Sequence, residues 1–154
     1  MFVVVRHAHA GRKADWDGPD AQRPLSEKGR RQALGLVASL RGLDLRAVWS
    51  SPTARCRQTV APLADERQLP IRGLELLLPD AEVTALSALL ASPNMDGAVL
   101  CTHRKTLARL LPLWRHTAVP DDPGGGGTAK GAAWLVGDLA GAHPRLRYVP
   151  ATPL

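Results

Sequence analysis

Aromatic residues are scarce in this chain of 154, which holds one Phe, one Tyr and four Trp. Stacking platforms for single-stranded nucleic acid, which hold successive bases on aromatic faces, are therefore poorly supplied. Cysteine is scarcer still. Cys56 and Cys101 are the only two, with no Cys-x-x-Cys pair, so nothing points to a disulfide framework or a zinc site. Both fall in apolar settings that suit small core side chains. The apolar run at the N-terminus is too short for a signal peptide or a membrane span. No internal repeat or linker breaks the chain. The expectation is a single domain over residues 1–154, with a real hydrophobic core, in a soluble cytoplasmic protein.

Positive charge is what the chain has in excess. The formal charge is +6, and sixteen of the twenty basic residues are Arg. Arg is the better bidentate partner for phosphate and carboxylate oxygens. The cations are spread without a dense stripe, so they favour an anionic ligand without selecting nucleic acid or a membrane surface.

Hydrophobic patterning alternates strands with helices. Phe2 to Val5 reads as a short buried strand that stops on Arg6 and His7. A polar loop from Gly11 to Pro24 leads to Ser26, a good N-cap, and to a helix with Ala33, Leu36, Val37 and Leu40 on one face. Ala47-Val48-Trp49 is a second strand. Ser51 as N-cap with Pro52 at the first helical position then predicts a second helix, with Arg55 in its first turn and Cys56, Val60, Leu63 and Ala64 buried. Pro62 predicts a kink or break in it. Leu69 to Leu78 holds a brief extended segment, and Pro79 to Glu82 opens a third helix with Val83, Leu86 and Leu90 inward. Gly97 to Cys101 is a strand ending in Thr102-His103. A fourth helix follows with Leu107, Leu110, Leu111 and Trp114 inward, distorted at Pro112. Thr117 to Lys130 reads as a mobile loop, and Ala132–Val136 and Leu146–Val149 as closing strands.

This order predicts an α/β fold, a three-layer α/β/α sandwich on a largely parallel central sheet. Strands of a parallel sheet point one way, so Arg6 and His7, Ser50 to Arg55, and Thr102 and His103 can meet at one edge, where ligands bind. Phosphoryl transfer needs positive charge around the equatorial oxygens and a nucleophile in line. Arg6 and Arg55 supply guanidinium forks and His103 a ring donor. His7 can attack phosphorus while its attacking nitrogen is unprotonated, a state that neighbouring Arg charges favour. That much protein charge needs no metal or other cofactor.

These residues also resemble a known family. Arg6-His7-Ala8 is similar to the Arg-His-Gly signature of the histidine phosphatase superfamily, Ser50 to Thr59 to its second motif, and Leu100-Cys101-Thr102-His103 to the stretch around its second histidine. Arg23-Pro24-Leu25-Ser26 and Gly29 resemble SixA-type phosphohistidine phosphatases. Arg55-Cys56, Gln58-Thr59, Pro62-Leu63-Ala64 and Cys101-Thr102 resemble the phosphatase-like domain that follows the Nudix domain in actinobacterial MutT-type hydrolases. The resemblance implies a phosphoglycerate mutase-like fold and a phosphatase in which His7 is transiently phosphorylated while Arg6, Arg55 and His103 bind the phosphoryl group. The implied substrate is a phosphohistidine protein or a small phosphorylated molecule. Ala8 and Arg104 depart from the Gly residues usual at those places, and Arg104 would narrow the pocket or contact a second anionic group. For the proton donor Glu82 is the first choice and Asp80 the second.

Other polar residues have plainer readings. His9 belongs to a pocket wall or the surface, and His116 and His143 face solvent. Asp15, Asp17 and Asp20 lack the spacing of a calcium loop and instead solvate a loop over the site. Arg23 joins the substrate-binding set, while Arg12 and Lys13 are equally well exposed loop charges. Lys130 either swings over the pocket or flanks a strand. The competing functional reading is a non-catalytic phosphate-binding or partner-docking module.

Overall fold

The computed structural model describes residues 1–115, 119–121, 127–141 and 144–154. His116, His143 and part of the expected loop from Thr117 to Lys130 lie outside them. Among the described residues seven strands form one sheet: β1 (Phe2–Arg6), β2 (Ala47–Ser50), β3 (Ile71–Gly73), β4 (Ala98–Thr102), β5 (Val119–Asp121), β6 (Ala133–Gly137) and β7 (Arg145–Val149). Their order is β3-β2-β4-β1-β6-β7-β5. β1, β2, β3 and β4 pair in parallel, as do β5 and β7, while β6 runs antiparallel to both of its neighbours. β5 corrects the expectation of a continuous loop: Val119–Asp121 pairs with Arg145–Arg147 at the sheet edge. Three residues that include a proline carry too little periodicity to announce a strand.

Among the described residues four α-helices cover the faces: α1 (Glu27–Ser39), α2 (Ala54–Arg67), α3 (Val83–Leu90) and α4 (Arg104–Arg115). Side-chain parity sorts them into layers, because alternate strand residues point to opposite faces. Val3 and Val5 pack with Val99, Cys101 and the apolar stripes of α1 and α2. Phe2 and Val4 pack with Leu100, Trp134 and the stripes of α3 and α4. This is the three-layer sandwich. The three valines of β1 are fully buried, each contributing about 1.5–3 kcal/mol relative to exposure.

Two local expectations change. α2 and α4 run through Pro62 and Pro112 without a break. In each case buried side chains lie on both sides of the proline, Val60 and Leu63 in one and Leu111 and Trp114 in the other, so packing holds the helix across the missing hydrogen bond. The N-cap of α2 is Thr53 rather than Ser51, and Pro52 lies outside the helix. Ser26 caps α1 as expected, accepting from the Gly29 N–H.

Candidate active site

Register brings three strand ends together. In the parallel β1–β4 pair Arg6 is opposite Thr102, and the His7 N–H continues the ladder to the Thr102 carbonyl. In the β2–β4 pair Ser50 is opposite Cys101, and the Ser51 N–H bonds the Cys101 carbonyl. His7 and His103 therefore each stand one residue past a paired strand, with the parity of Val5 and Cys101. Their rings meet edge to face with centroids 5.4 Å apart. Because β6 is antiparallel to β1, the loop before β6 arrives at the same edge, and Gly131 N–H bonds the carbonyls of Arg6 and His7.

His7 is buried, and its Nδ1 lies 2.9 Å from the Ala8 carbonyl oxygen. A carbonyl only accepts, so Nδ1 carries the proton and Nε2 keeps its lone pair. Burial pushes the His7 pKa down to about 4. The His103 and Arg55 charges add to the effect, while Cys56 and the Ala8 bond oppose it. At neutral pH the ring is uncharged with a free Nε2, the form a nucleophile requires.

Both arginines are fixed at their tips. Arg6 Nη1 donates to the Thr128 carbonyl at 2.7 Å. Arg55 donates from Nη1 to the Asp20 carbonyl at 2.8 Å and from Nη2 to the Asp20 carboxylate at 3.2 Å. Each keeps a buried Nε–H with no acceptor among the described residues. A buried donor left unpaired costs about 1–3 kcal/mol, and more when charged. Two of them at one strand edge mark a place for an anion. Burial and then the Arg104 charge lower the Arg6 pKa, but a guanidinium stays protonated at neutral pH.

His103 is held from behind. Its Nε2 lies 2.9 Å from Ser51 Oγ and 3.6 Å from Cys56 Sγ, all buried. Ser51, expected as a cap, is thus a partner of the second histidine. Cys56 is core as expected and also touches the site. The Ser-Pro pattern is a strong cap signal, and no local pattern shows that a hydroxyl at a strand end will meet a ring 52 residues away.

The remaining candidates divide. Arg23 bonds the Ala10 carbonyl, the Gly11 carbonyl and the Asp20 carboxylate, and so clamps the loop that carries Asp20. Asp20 in turn tethers Arg55. Burial alone would raise the Asp20 pKa, but the Arg23 bond and the Arg55 charge hold it below the usual carboxylate range. Arg104 is exposed at the start of α4, close enough for its charge to act on Arg6. Glu82 is exposed and is the N-cap of α3, accepting from the Thr84 N–H at 3.1 Å and the Thr84 hydroxyl at 2.6 Å. Those two bonds lower its pKa, the opposite of what a general acid near neutral pH needs. Asp80 is exposed on the preceding turn. His9 is half-buried, with Nδ1 2.6 Å from Ser26 Oγ. Gly29 makes that packing possible, because a Cβ there would stand 2.0 Å from the His9 carbonyl oxygen. Among the described residues no three His, Cys, Asp or Glu side chains gather as metal ligands would, and no helix is long and apolar enough to cross a membrane.

Comparison with known proteins agrees with the fold. Residues 2–78 match the model of the histidine phosphatase superfamily, branch 1. An 8-oxo-(d)GTP phosphatase of Mycolicibacterium smegmatis is 35% identical over 149 residues, which cover 91% of this chain and 46% of that protein. The chain thus spans about half the length of this curated relative. A SixA from Nakamurella multipartitia assigned as a phosphohistidine phosphatase superposes with a TM-score of 0.71 at 26% identity, over 98% of this chain and 95% of the other. The protein histidine phosphatase SixA in complex with tungstate superposes with a TM-score of 0.73 at 22% identity, over 94% and 92% of the two chains.

Proposed function

The chain belongs to the histidine phosphatase superfamily, branch 1; from that premise we propose that it is a phosphatase that works through a phosphoryl group carried transiently on His7 Nε2. The observation that carries the reading is the pairing of a neutral His7 whose Nε2 keeps its lone pair with two buried arginine Nε–H groups that lack acceptors among the described residues. In the first half-reaction the Nε2 lone pair forms an N–P bond while the bond from phosphorus to the leaving group breaks. The leaving group departs with that electron pair and takes up a proton. Arg6 and Arg55 neutralise the equatorial oxygens through their open Nε–H donors, and His103 donates from its ring. In the second half-reaction water attacks phosphorus, the N–P bond breaks, its electrons return to Nε2, and phosphate leaves.

The leading substrate is a phosphohistidine on a protein. The carboxylate first in line to protonate a leaving group, Glu82, is committed to capping α3. A phosphoramidate leaving group makes smaller demands on such an acid than an alkoxide does. A second reading, a small phosphorylated nucleotide, is favoured by the name of the 35% identical relative. Hydrolysis of a chromogenic phosphate ester in excess chelator tests the mechanism. Activity should persist in the chelator and vanish in His7→Ala; the reverse of either result overturns it. Turnover of a phosphohistidine peptide against a panel of nucleotides and sugar phosphates separates the two substrates.

A further inference from the structure

We infer that Ser51 is a positioning residue, which donates its hydroxyl proton to His103 Nε2 and so fixes the ring proton on Nδ1, where it faces the phosphoryl group. The inference rests on the phosphatase reading for its catalytic consequence and on geometry for the rest. Ser51 is fully buried, with Oγ 2.9 Å from Nε2. Its other side-chain neighbour is Thr53 Oγ1 at 3.5 Å, and the Thr53 N–H points at Ser51 Oγ from the same distance. If Nε2 carried the proton and Ser51 accepted it, the Ser51 O–H would be left with the distant Thr53 oxygen, a poor bond in a buried place. If Ser51 donates, its proton goes to Nε2 at 2.9 Å, and Ser51 Oγ still faces the Thr53 N–H at 3.5 Å.

Cys56 does not compete for the Nε2 lone pair. Its thiol lies 3.6 Å from Nε2 and 3.7 Å from the Thr102 carbonyl. The Cys56 S–H donates to that carbonyl, which can only accept, so it leaves the Nε2 lone pair to Ser51. The proton of the neutral ring then resides on Nδ1. That nitrogen has no hydrogen-bond partner among the described residues, and its ring sits edge to face against His7. Which nitrogen of a histidine carries the proton is set by what the other one bonds. Ser51 thus decides that His103 offers a donor, and not a lone pair, to oxygens on phosphorus.

Long-range ¹H–¹⁵N spectra of the ¹⁵N-histidine-labelled protein at pH 8 test the tautomer directly and need no turnover. The expected pattern for His103 is a protonated Nδ1 and an accepting Nε2, with the Nδ1–H resonance shifting when inorganic phosphate is titrated in. A protonated Nε2 overturns the inference. Ser51→Ala should lose the single-tautomer pattern and lower kcat about tenfold with little change in KM. Ser51→Thr, which keeps the hydroxyl, should recover both. An unchanged spectrum and unchanged kcat in Ser51→Ala would also overturn it. Should Ser51→Ala fail to fold, the wild-type spectrum still decides. Failure of the phosphatase reading would show differently, as absent turnover with the His103 pattern intact.

Discussion

Lowering the pH from 7 to 4 should cost the fold about 3 kcal/mol through His7 alone. The native structure buries the ring in its neutral form and holds its pKa down to about 4 from an ordinary 6.5. The unfolded chain has no such restraint and takes up its proton first. Between pH 6.5 and about 4 the unfolded state therefore binds a proton that the native state refuses, and acid pulls the equilibrium toward unfolding. Each unit of pH across that window is worth about 1.4 kcal/mol, which gives about 3 kcal/mol over its whole width. The stabilisation is complete above 6.5 and is lost as the pH falls through the native value. Urea denaturation of the wild type and of His7→Gln at a series of pH values isolates the effect, since other titrating groups cancel in the difference. That difference should fall by about 3 kcal/mol between pH 6.5 and 4 and be flat on either side. A flat difference throughout, or an NMR titration of His7 centred near 6.5, would refute the reasoning and remove the basis for a neutral nucleophile.

Replacing Arg6 or Arg55 by lysine keeps the charge but removes the planar fork and its Nε–H. Arg6→Lys and Arg55→Lys should each lower kcat about 100-fold or more in folded protein, as checked by steady-state kinetics beside circular dichroism. Glu82→Gln retains an oxygen to cap α3 and cannot protonate a leaving group. Its kcat on a phosphate ester should stay within about threefold of wild type, whereas a loss of about 100-fold or more would return Glu82 to the role of general acid. Gly29→Ala drives a Cβ into the backbone that carries His9 and should cost about 1–3 kcal/mol in denaturant midpoints, with activity falling in parallel. In Gly35→Ala the new Cβ meets the Thr152 carbonyl in the C-terminal tail. Deleting residues 151–154 should restore stability there and leave Gly29→Ala unrescued.

What the sequence made legible is the part of the site written along strands. Val3-Val4-Val5 running into Arg6-His7, and Val99-Leu100-Cys101 running into Thr102-His103, announce buried parallel strands by composition and a shared edge by direction. The layers follow from parity. What stayed hidden depends on encounters across the fold. Ser51 carries a strong cap signal that tertiary contact overrides, sending its hydroxyl to His103. Glu82 shows the reverse case: a carboxylate at a helix start serves equally as an acid or a cap, and only its two Thr84 bonds distinguish them. Arg23 gives no sign in the sequence of its carbonyl partners at Ala10 and Gly11. Thr128 gives no signal at all, because its role lies in a backbone oxygen that meets Arg6. β5 is invisible for a related reason, since its pairing with β7 comes from the sheet edge and not from its own three residues.

The central claim is that phosphorus is bonded to His7 during turnover. Rapid-quench labelling with a ³²P-phosphohistidine peptide, followed by peptide mapping, tests it most directly. The account predicts an acid-labile, alkali-stable label on the peptide carrying His7, formed and lost within the catalytic cycle, and absent from His7→Ala. Full turnover with no phosphoenzyme at any quench time, or a label on another residue, would contradict it.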